Sequence, residues 1–597
     1  MCGIAGVVTR DGQPPEETAL KRMADALAHR GPDGRGHYLS GGVGMVHTRL
    51  AIVDLETGDQ PLYAQVGEEG WVALVANGEI YNDLDLRARF GDSDFITRSD
   101  CEPPLHLYMR HADAFAGHLR GMYAIALHDR RQGSDGGGRV LLARDPFGIK
   151  PLYYAETDQG FAFASEIQAL VAAGLVEPNL RASTRDEMLQ LGFSTGAETV
   201  FNGVHRVLPG ETLVIDDGRI VERRRIAALP VEGPDGIGET AALEALDRHL
   251  ENSVGVHQRA DVPYGMFLSG GIDSAALLAM MGRLNDRPVV AFTAAFPGAD
   301  VHDERSDARA AAAATGAEHI EVEMGEDDFW RLLPEIAACV DDPTADYALI
   351  PSYRLAAAAR GEAGLKVVLT GEGGDELFGG YGRYRRALRW RMLGGRRMRA
   401  RGVFDGMGVL RDGGGWRDGI AAAETDVAGQ SLTPLQRMQA VDCRDWLPND
   451  LLTKLDRTLM AHGVEGRVPF IDPALAAFAF RLPDALKVRR NLGKRLLRRW
   501  LETGLPAARP FARKRGFTVP VAAWIAGRRK ALGPLVAAQP GIEEACRPGT
   551  VQRVFAEAGT DRAGDAAWTL LFFALWHRRH VLGRAPAGDV MDTLAAT

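Results

Sequence analysis

The chain has few cysteines and no long hydrophobic run, and both shortages exclude whole classes of protein. Only five of its 597 residues are cysteine, and none of them forms a Cys-x-x-Cys pair. We therefore expect neither a disulfide framework nor a zinc site. No apolar stretch approaches the roughly 18 residues of a membrane-spanning helix. The first residues show no basic region followed by an apolar one, so we expect no signal peptide and a cytoplasmic location.

An excess of positive charge is also missing. The sequence has 70 Lys+Arg and 79 Asp+Glu, which gives a formal net charge of −9. Such a chain is not expected to bind nucleic acid as a whole. Hydrophobic residues make up 46% and charged residues 25%, as in ordinary globular proteins. A length of 597 residues predicts about two or three domains.

Two patterns divide the chain. Short apolar runs bounded by turn residues predict a β-rich part over residues 1–210, with one hairpin loop at residues 134–138. Residues 229–240 are rich in proline and glycine and are the best linker candidate. Beyond them, apolar strand patterns alternate with helical ones, which predicts a parallel α/β sheet. From residue 435 onward the pattern is mostly helical, and residues 568–580 have the spacing of a core helix.

Cys2 is the first candidate for a catalytic residue. If Met1 is removed, one residue carries both the thiol and a free α-amine, and that amine (pKa ~7.7–8) can act as the base. A cysteine at the second position usually has no function. The segments that follow it in the sequence change this interpretation.

Six segments accompany Cys2 in order, at residues 29–33, 49–54, 77–82, 99–102, 144–154 and 164–166. Together with this cysteine they resemble the N-terminal-nucleophile glutamine amidotransferase domain over nearly all of residues 2–210. The resemblance implies an αββα sandwich, a thiol that attacks the side-chain amide of glutamine, and a γ-glutamyl thioester that releases ammonia.

The same resemblance implies the roles of five further residues. Asn77, through its side-chain amide, and Gly78, through its backbone N–H, would form the oxyanion hole. Arg49 would bind the α-carboxylate of glutamine, while Asp100 and Glu79 would hold its α-ammonium and amide. The alternatives are that Asn77-Gly78 is only a hairpin turn, and that Arg49 and Asp100 are ordinary surface charges.

A glycine-containing loop at residues 267–274 follows a predicted strand and opens a predicted helix. Two glycines let backbone amides approach phosphates, and the helix N-terminus favours negative charge. No GxxxxGK[ST] loop is present. The segment resembles the SGGxDS loop of enzymes that split ATP between the α and β phosphates; the alternative is a simple turn.

A second segment, residues 370–381, places three carboxylates among glycines directly after a strand. This arrangement is costly unless the carboxylates meet a metal or another cation. The segment closely resembles the corresponding motif of the glutamine-hydrolysing asparagine synthetase family. By that resemblance, Asp273 and Asp375 would hold Mg²⁺, and Glu372 would assist formation of an acyl-adenylate.

The resemblance also implies an ATP site. Its expected residues are Leu268, Ser269, Gly270, Gly271, Asp273, Ser274, Ala294, Thr370, Gly371 and Lys494. For Lys494, which suits stabilisation of the leaving pyrophosphate, the alternative is an ordinary surface lysine. Residues 462–472 match a later motif of the family, in which Glu465 and Arg467 either reach the substrate pocket or brace it. Tyr381 is undecided between substrate contact and packing.

The resemblance covers roughly residues 2–520 and implies a multidomain α/β fold. The expected domains are an αββα glutaminase (2–210), a hairpin and linker (211–240), a parallel-sheet ATP-pyrophosphatase or synthetase domain (241–520) and a helical C-terminal extension (521–597). The expected partners are glutamine, ATP with Mg²⁺, and aspartate or another carboxylate, with no nucleic acid and no membrane. A homodimer is left open.

Two features of the sequence leave open the identity of the acceptor and the role of an arginine-rich segment. Residues 341–351 replace the Thr-Thr-Ile-Arg run with which other members of the family are thought to grip aspartate. The acceptor is therefore either aspartate or the carboxylate of a natural-product, peptide or cell-surface precursor; a non-catalytic protein on the same fold is a third hypothesis. Residues 383–401 contain nine arginines around Trp390. They form either a solvated helix face or a docking surface for an acidic partner or a carrier-bound substrate.

Overall fold

The computed structural model describes residues 2–66, 70–91, 94–131, 138–297, 304–389, 392, 395–490, 492–512 and 519–596. Residues 134–137 of the predicted hairpin loop and Trp390 of the arginine-rich segment lie outside the described residues. In the described part of the chain, no helix is both long and apolar enough to span a membrane.

The N-terminal part is built from two antiparallel sheets. Within the described residues their strand orders are β10-β8-β9-β1-β3-β2 and β12-β11-β7-β6-β5-β4. The strands are β1 (Gly3–Thr9), β2 (Gly34–Ser40), β3 (Val43–Arg49), β4 (Leu62–Val66), β5 (Gly70–Ile80), β6 (Gly121–Asp129), β7 (Arg139–Arg144), β8 (Tyr153–Thr157), β9 (Gly160–Ala164), β10 (Val204–Arg206), β11 (Glu211–Asp216) and β12 (Arg219–Arg225).

Helices cover the outer faces of both sheets. Ile4 and Met45 of the first sheet share one buried core with Val75 and Ala124 of the second, so the sheets pack face to face. This arrangement confirms the predicted αββα sandwich. The helices are α1 (Glu17–Ala26), α2 (Asp83–Phe90), α3 (Pro103–His111), α4 (Ile167–Ala172) and α5 (Ala182–Leu191).

The next part contains a parallel sheet, as the alternating pattern predicts. Its order among the described residues is β15-β14-β13-β16-β17. The strands are β13 (Tyr264–Phe267), β14 (Val290–Ala295), β15 (Glu318–Glu323), β16 (Val367–Leu369) and β17 (Glu465–Arg467). The helices are α6 (Glu239–His257), α7 (Ile272–Leu284), α8 (Arg305–Thr315), α9 (Glu326–Cys339), α10 (Leu349–Ala363), α11 (Gly374–Phe378) and α12 (Gly382–Ala387).

The remainder is mostly helical. A π-helix, Asp442–Leu452, joins α14 to α15 without a break. The helices are α13 (Asp418–Ala428), α14 (Pro434–Val441), α15 (Thr453–Met460), α16 (Pro473–Arg481), α17 (Asp484–Lys487), α18 (Arg495–Gly504), α19 (Val521–Ala537), α20 (Pro540–Ala545), α21 (Thr550–Ala556), α22 (Asp561–His580) and α23 (Val590–Ala595).

Two contacts are relevant to the domain boundaries, which remain a prediction. The hairpin of β11 and β12 extends the second antiparallel sheet beyond residue 210. Helix α22 buries its apolar side chains, as its spacing predicts, and the Trp576 ring lies 5.5 Å from that of Phe201 in the N-terminal part. The C-terminal helices therefore pack against the sandwich as well as against α9.

Candidate active sites

Cys2 immediately precedes β1, at the interface between the two halves of the chain. Its backbone nitrogen donates a hydrogen bond to Asn77 Oδ1 over 3.0 Å, and its side chain is almost fully buried. Burial raises the pKa of the thiol, although the nearby amino terminus opposes the shift. The thiol is therefore held neutral and needs a base to become a nucleophile.

Asn77 and Gly78 lie side by side on β5, opposite Ala124 and Tyr123 of β6. The Asn77 side chain is fully buried, and its Nδ2 has no hydrogen-bond partner among the described residues. A Cβ atom at Gly78 would lie 2.3 Å from the Met122 carbonyl oxygen, so only glycine fits. A buried, unpaired N–H donor beside a thiol is the arrangement that an oxyanion hole requires.

The other predicted glutamine-binding residues surround the same place. Arg49 ends β3, where Nη1 lies 2.7 Å from Asp59 Oδ1 and Nη2 contacts the Asp54 carbonyl. Asp100 Oδ2 accepts a hydrogen bond from the Ile80 backbone N–H over 2.6 Å. Burial raises the pKa of Asp100 to about 6. Burial also raises the pKa of Glu79, against the opposing effect of Arg467.

Glu465 and Arg467, undecided from the sequence, lie at this site and do not line the cavity, described below, that contains the residues predicted for ATP. Arg467 Nη2 lies 3.1 Å from Glu79 Oε1, and its Nε lies 2.6 Å from Glu465 Oε1. Although burial opposes it, the amino terminus and Arg467 lower the pKa of Glu465. Three carboxylates, those of Glu79, Asp100 and Glu465, thus surround one guanidinium. An incoming α-ammonium would improve this balance of charge.

A cavity of about 340 Å³ opens at the carboxyl ends of β13, β14 and β16. This edge of a parallel sheet is where such folds bind ligands. It brings together many residues predicted for ATP, for Mg²⁺ and for adenylation. Those that line it are Leu268, Ser269, Asp273, Ser274, Ala294, Thr370, Gly371, Glu372 and Asp375.

The predicted phosphate loop turns from β13 into α7. The Ser269 and Ser274 hydroxyls lie 3.0 Å apart, and both point into the turn. The Gly270 backbone N–H donates to Glu304 Oε2 over 3.1 Å, and the Gly271 N–H donates to Ser269 Oγ. Gly270 and Gly271 are therefore in the loop, but they are not among the residues that line the cavity.

Lys494 lies between the two aspartates that are predicted to hold Mg²⁺. Its Nζ lies 2.7 Å from Asp375 Oδ1 and also contacts Asp273 Oδ2. Although burial lowers it, these two aspartates raise the pKa of Lys494, which therefore stays charged. The side chain is buried, so the interpretation as an ordinary surface lysine does not fit.

Lys454 is a site residue that the sequence reasoning missed. Its Nζ lies 2.8 Å from Asp346 Oδ2 and 3.6 Å from Glu372 Oε1, and all three residues line the cavity. Burial raises the pKa of Glu372, and Lys454 opposes that shift. The available signal was a lysine between Leu452 and Leu455 on a helix, where an unpaired charge would be costly.

The segment 341–351, where the family motif is absent, divides between two environments. Asp341 and Asp342 pair with Arg457 and Arg206 over 2.7 Å. Residues 346–348 and Pro351 line the cavity beside the predicted ATP residues. This segment therefore contributes both to buried ion pairs and to the lining of the cavity.

The described arginines of residues 383–401 do not all lie on one exposed surface. Arg383 donates to Asp442 Oδ2 over 2.8 and 3.0 Å, and its guanidinium lies over the Tyr381 ring at 3.7 Å. Tyr381 donates from its hydroxyl to Glu376 over 2.6 Å. Arg399 also turns inward, whereas Arg396 and Arg397 are exposed.

A buried ion-pair network joins the two halves of the chain. Arg30 Nη1 lies 2.7 Å from both Glu166 Oε1 and Asp456 Oδ2, and its Nε donates to the Cys2 carbonyl over 3.1 Å. Although burial opposes it, Arg30 lowers the pKa of Asp456. Segments 29–33 and 164–166 carried part of the resemblance, but nothing in them identified a partner more than 400 residues away.

Comparisons with known proteins agree with both halves of this geometry. Residues 245–578 match the family model described as asparagine synthase, and residues 1–225 match that of a glutamine amidotransferase domain. The "Putative asparagine synthetase [glutamine-hydrolyzing]" of Mycobacterium tuberculosis is 34% identical over 97% of either chain. The "Asparagine synthetase [glutamine-hydrolyzing] 1" of Bacillus subtilis is 31% identical over 97% of this chain and 96% of its own. The "Asparagine synthetase B [glutamine-hydrolyzing]" of Escherichia coli is 28% identical over 87% and 82%.

Proposed function

This chain belongs to the family of glutamine-hydrolysing asparagine synthetases, and from that premise we propose that it converts aspartate to asparagine. It is an ATP-dependent carbon–nitrogen ligase that takes its nitrogen from glutamine, so the non-catalytic hypothesis is wrong. The three relatives described above are all named for asparagine, and we therefore do not propose the natural-product, peptide or cell-surface acceptors that the sequence left open.

In the first half-reaction, the Cys2 thiol attacks the side-chain amide carbon of glutamine. Once Met1 has been removed, the α-amine of Cys2 takes the thiol proton and passes it to the departing ammonia, which leaves a γ-glutamyl thioester that water hydrolyses to glutamate. Asn77 Nδ2 and the Gly78 N–H donate to the tetrahedral oxyanion. Arg49 binds the α-carboxylate, while Asp100 and Glu79 balance the α-ammonium.

In the second half-reaction, ATP occupies the cavity, with its base near Leu268 and Ala294 and its phosphates at the loop of residues 269–274. The β-carboxylate of aspartate attacks the α-phosphorus, which forms the acyl-adenylate and releases pyrophosphate. Lys494 stabilises the charge that develops on the leaving group. Ammonia then attacks the acyl carbon and displaces AMP, and the raised pKa of Glu372 suits it to accept a proton from that ammonia.

The residues present fit Mg²⁺ as well. Asp273 and Asp375 lie in the first turns of two different helices, α7 and α11, and converge on one cation, Lys494 Nζ. The described residues contain no group of three or more acidic, histidine or cysteine side chains that could hold a metal alone. Mg²⁺ commonly takes one or two carboxylates and completes its shell with substrate phosphates. Asp273 and Asp375 would hold it there, where it would neutralise phosphate charge.

The observation that supports the proposal most is this convergence of Asp273 and Asp375 on Lys494, in the same chain as the Cys2–Asn77 pair. The test is product analysis by mass spectrometry with Mg-ATP, aspartate and amide-¹⁵N glutamine. We expect ¹⁵N-asparagine and AMP in equal amounts. Cys2→Ala should make asparagine from ammonium only, and Cys101→Ser, a neighbouring buried thiol, should keep glutamine-dependent synthesis. Glutamate without asparagine or AMP would overturn aspartate as the acceptor.

A further inference from the structure

A line of polar side chains runs along the continuous helix that contains α14 and α15. Asp442, Trp446, Asp450 and Lys454 recur every four residues, three of them within the π-helix Asp442–Leu452 and the last in α15. The wide turns of a π-helix keep this spacing near one face, and such turns are frequent at functional sites. Lys454 lines the nucleotide cavity at one end of the line. The other three residues are not among those that line it.

Three buried polar atoms along this line have no hydrogen-bond partner in the part of the chain that the structure describes. They are Trp446 Nε1, Asp450 Oδ2 and Arg399 Nη2. Asp450 is only 2% exposed, and its other oxygen, Oδ1, accepts from the Thr344 hydroxyl. Buried polar groups are nearly always satisfied, so several unsatisfied ones in one place require partners from outside the chain, and a ligand can supply them.

Two arginines beside this line share one close carboxylate. Two guanidinium groups, those of Arg383 and Arg399, face the single carboxylate of Asp442. Arg383 donates to it directly, but Arg399 Nη2 lies 3.7 Å from Asp442 Oδ1, too far for a hydrogen bond. The Cζ atom of the Arg399 guanidinium instead lies over the Trp446 ring, 4.0 Å from its centroid. Its N–H groups are thus held in position for an anion.

Asp450 lies between two sets of charged groups and interacts with both. Its carboxylate interacts electrostatically with Arg399 on one side and with Asp346 and Lys454 on the other. The unpaired groups therefore comprise two N–H donors and, between them and the cavity, one carboxylate oxygen. A carboxylate of the ligand can accept hydrogen bonds from the two N–H donors, and an ammonium of the ligand can donate to the Asp450 oxygen. An α-amino acid carries both groups on one carbon.

We propose that Arg399 and Trp446 bind the α-carboxylate of the acceptor, and that Asp450 binds its α-ammonium. The acceptor's side-chain carboxylate then points toward Lys454 and Glu372, where adenylation takes place. Asp450 and Lys454 are one helical turn apart, about 6 Å, which suits an acceptor as short as aspartate. This inference rests on the proposed function and adds the residues that select the acceptor.

The test compares acceptors that lack one group each, with ammonium as the nitrogen source so that the glutamine site is bypassed. β-Alanine is aspartate without its α-carboxylate, and succinate is aspartate without its ammonium. We expect Arg399→Met to raise the KM for aspartate about 10- to 100-fold and to leave the KM for β-alanine and for ATP unchanged. Asp450→Asn should likewise reduce the preference for aspartate over succinate.

The matched control is Arg396→Met, an exposed arginine of the same segment, which should behave as the wild type. The inference is overturned if Arg399→Met keeps the wild-type KM for aspartate, or if the KM values for aspartate and β-alanine rise by the same factor. Retained glutaminase activity shows that the variants fold.

Failure of the proposed function is distinguishable from failure of this inference. If the wild-type protein makes no asparagine, aspartate binding is measured by calorimetry. Binding to the wild type that weakens at least about 10-fold in Arg399→Met upholds the subsite, whereas no binding to the wild type overturns both proposals.

Discussion

Arg467, on the last strand of the parallel sheet, lies 3.1 Å from Glu79, on a strand of the antiparallel sandwich. Both side chains are buried. The same guanidinium donates to Glu465 and to the backbone carbonyls of His257 and Arg259. Strand β17 of the ATP-binding half therefore braces a predicted glutamine-binding residue of the other half directly.

The first prediction concerns Glu79 itself. Glu79→Gln keeps the shape of the side chain but removes the charge that faces the α-ammonium of glutamine. We expect the KM for glutamine to rise about 10-fold, while ammonium-dependent synthesis stays at the wild-type rate. Steady-state kinetics with each nitrogen source measure this split. Glu56→Gln, at an exposed position, is the control. An equal loss with ammonium would mean that Glu79 acts mainly by supporting Arg467.

The second prediction concerns pH. Burial raises the pKa of Asp100 to about 6, so this carboxyl is charged above that pH and neutral below it. Because the charged form attracts the α-ammonium, kcat/KM for glutamine should fall as pH decreases through about 6, by up to 10-fold per unit. A profile from about pH 5 to 8 measures it. Asp100→Asn should bind glutamine weakly and lose this inflection; a variant that keeps the inflection assigns it to another group.

Much of the fold could be predicted because its elements carry strong local patterns. The apolar runs that became β6 and β7, and the alternation around β13 and α7, fix their own structure through burial. The structure of the chain around residue 210 was harder to predict. The turn at Asp217-Gly218 has a clear local signal, but whether its hairpin joins a sheet depends on pairing with β7, which no local pattern reveals.

The residues of the two sites could likewise be predicted only in part. Cys2, Asn77 and the phosphate loop lie in segments whose residue types and order resemble a family. Lys454 and Arg399 lie outside such segments, and Arg30 lies within one that does not reveal its partner. The significance of all three depends on partners distant in the sequence, which are Asp346, Asp442 and Asp456 respectively. A charged residue inside an apolar helix indicates that a partner exists, but it does not identify that partner.

The third prediction concerns the buried pair of Arg30 and Asp456. Arg30→Met leaves Asp456 buried without its main counter-charge and removes one of the cations that pair with Glu166, which should destabilise the protein by about 3–5 kcal/mol. The midpoint of urea unfolding measures the loss. Arg35→Met removes an exposed pair with Asp25 and should cost less than about 1 kcal/mol. Adding Asp456→Asn to Arg30→Met should recover part of the stability; further destabilisation would contradict a charge-based cause.

The last prediction concerns Gly380, which sits against the proposed pyrophosphate-binding pair. A Cβ atom there would lie 1.7 Å from Asp375 Oδ1 and 2.3 Å from Lys494 Cε. Gly380→Ala must therefore displace both groups. Since a misplacement of about 1 Å can cost about 100-fold in rate, we expect AMP formation to fall by about that factor with either nitrogen source.

The glutamine site does not involve these atoms, so Gly380→Ala should keep its basal glutaminase activity, which also reports on folding. Gly382→Ala is the matched control, because its Cβ would meet only the Arg385 guanidinium at 3.7 Å, an ordinary contact. AMP formation at the wild-type rate in Gly380→Ala would show that the Lys494–Asp375 contact is dispensable for adenylation. A fall in both variants would instead show that the loss does not arise specifically from displacement of Asp375 and Lys494.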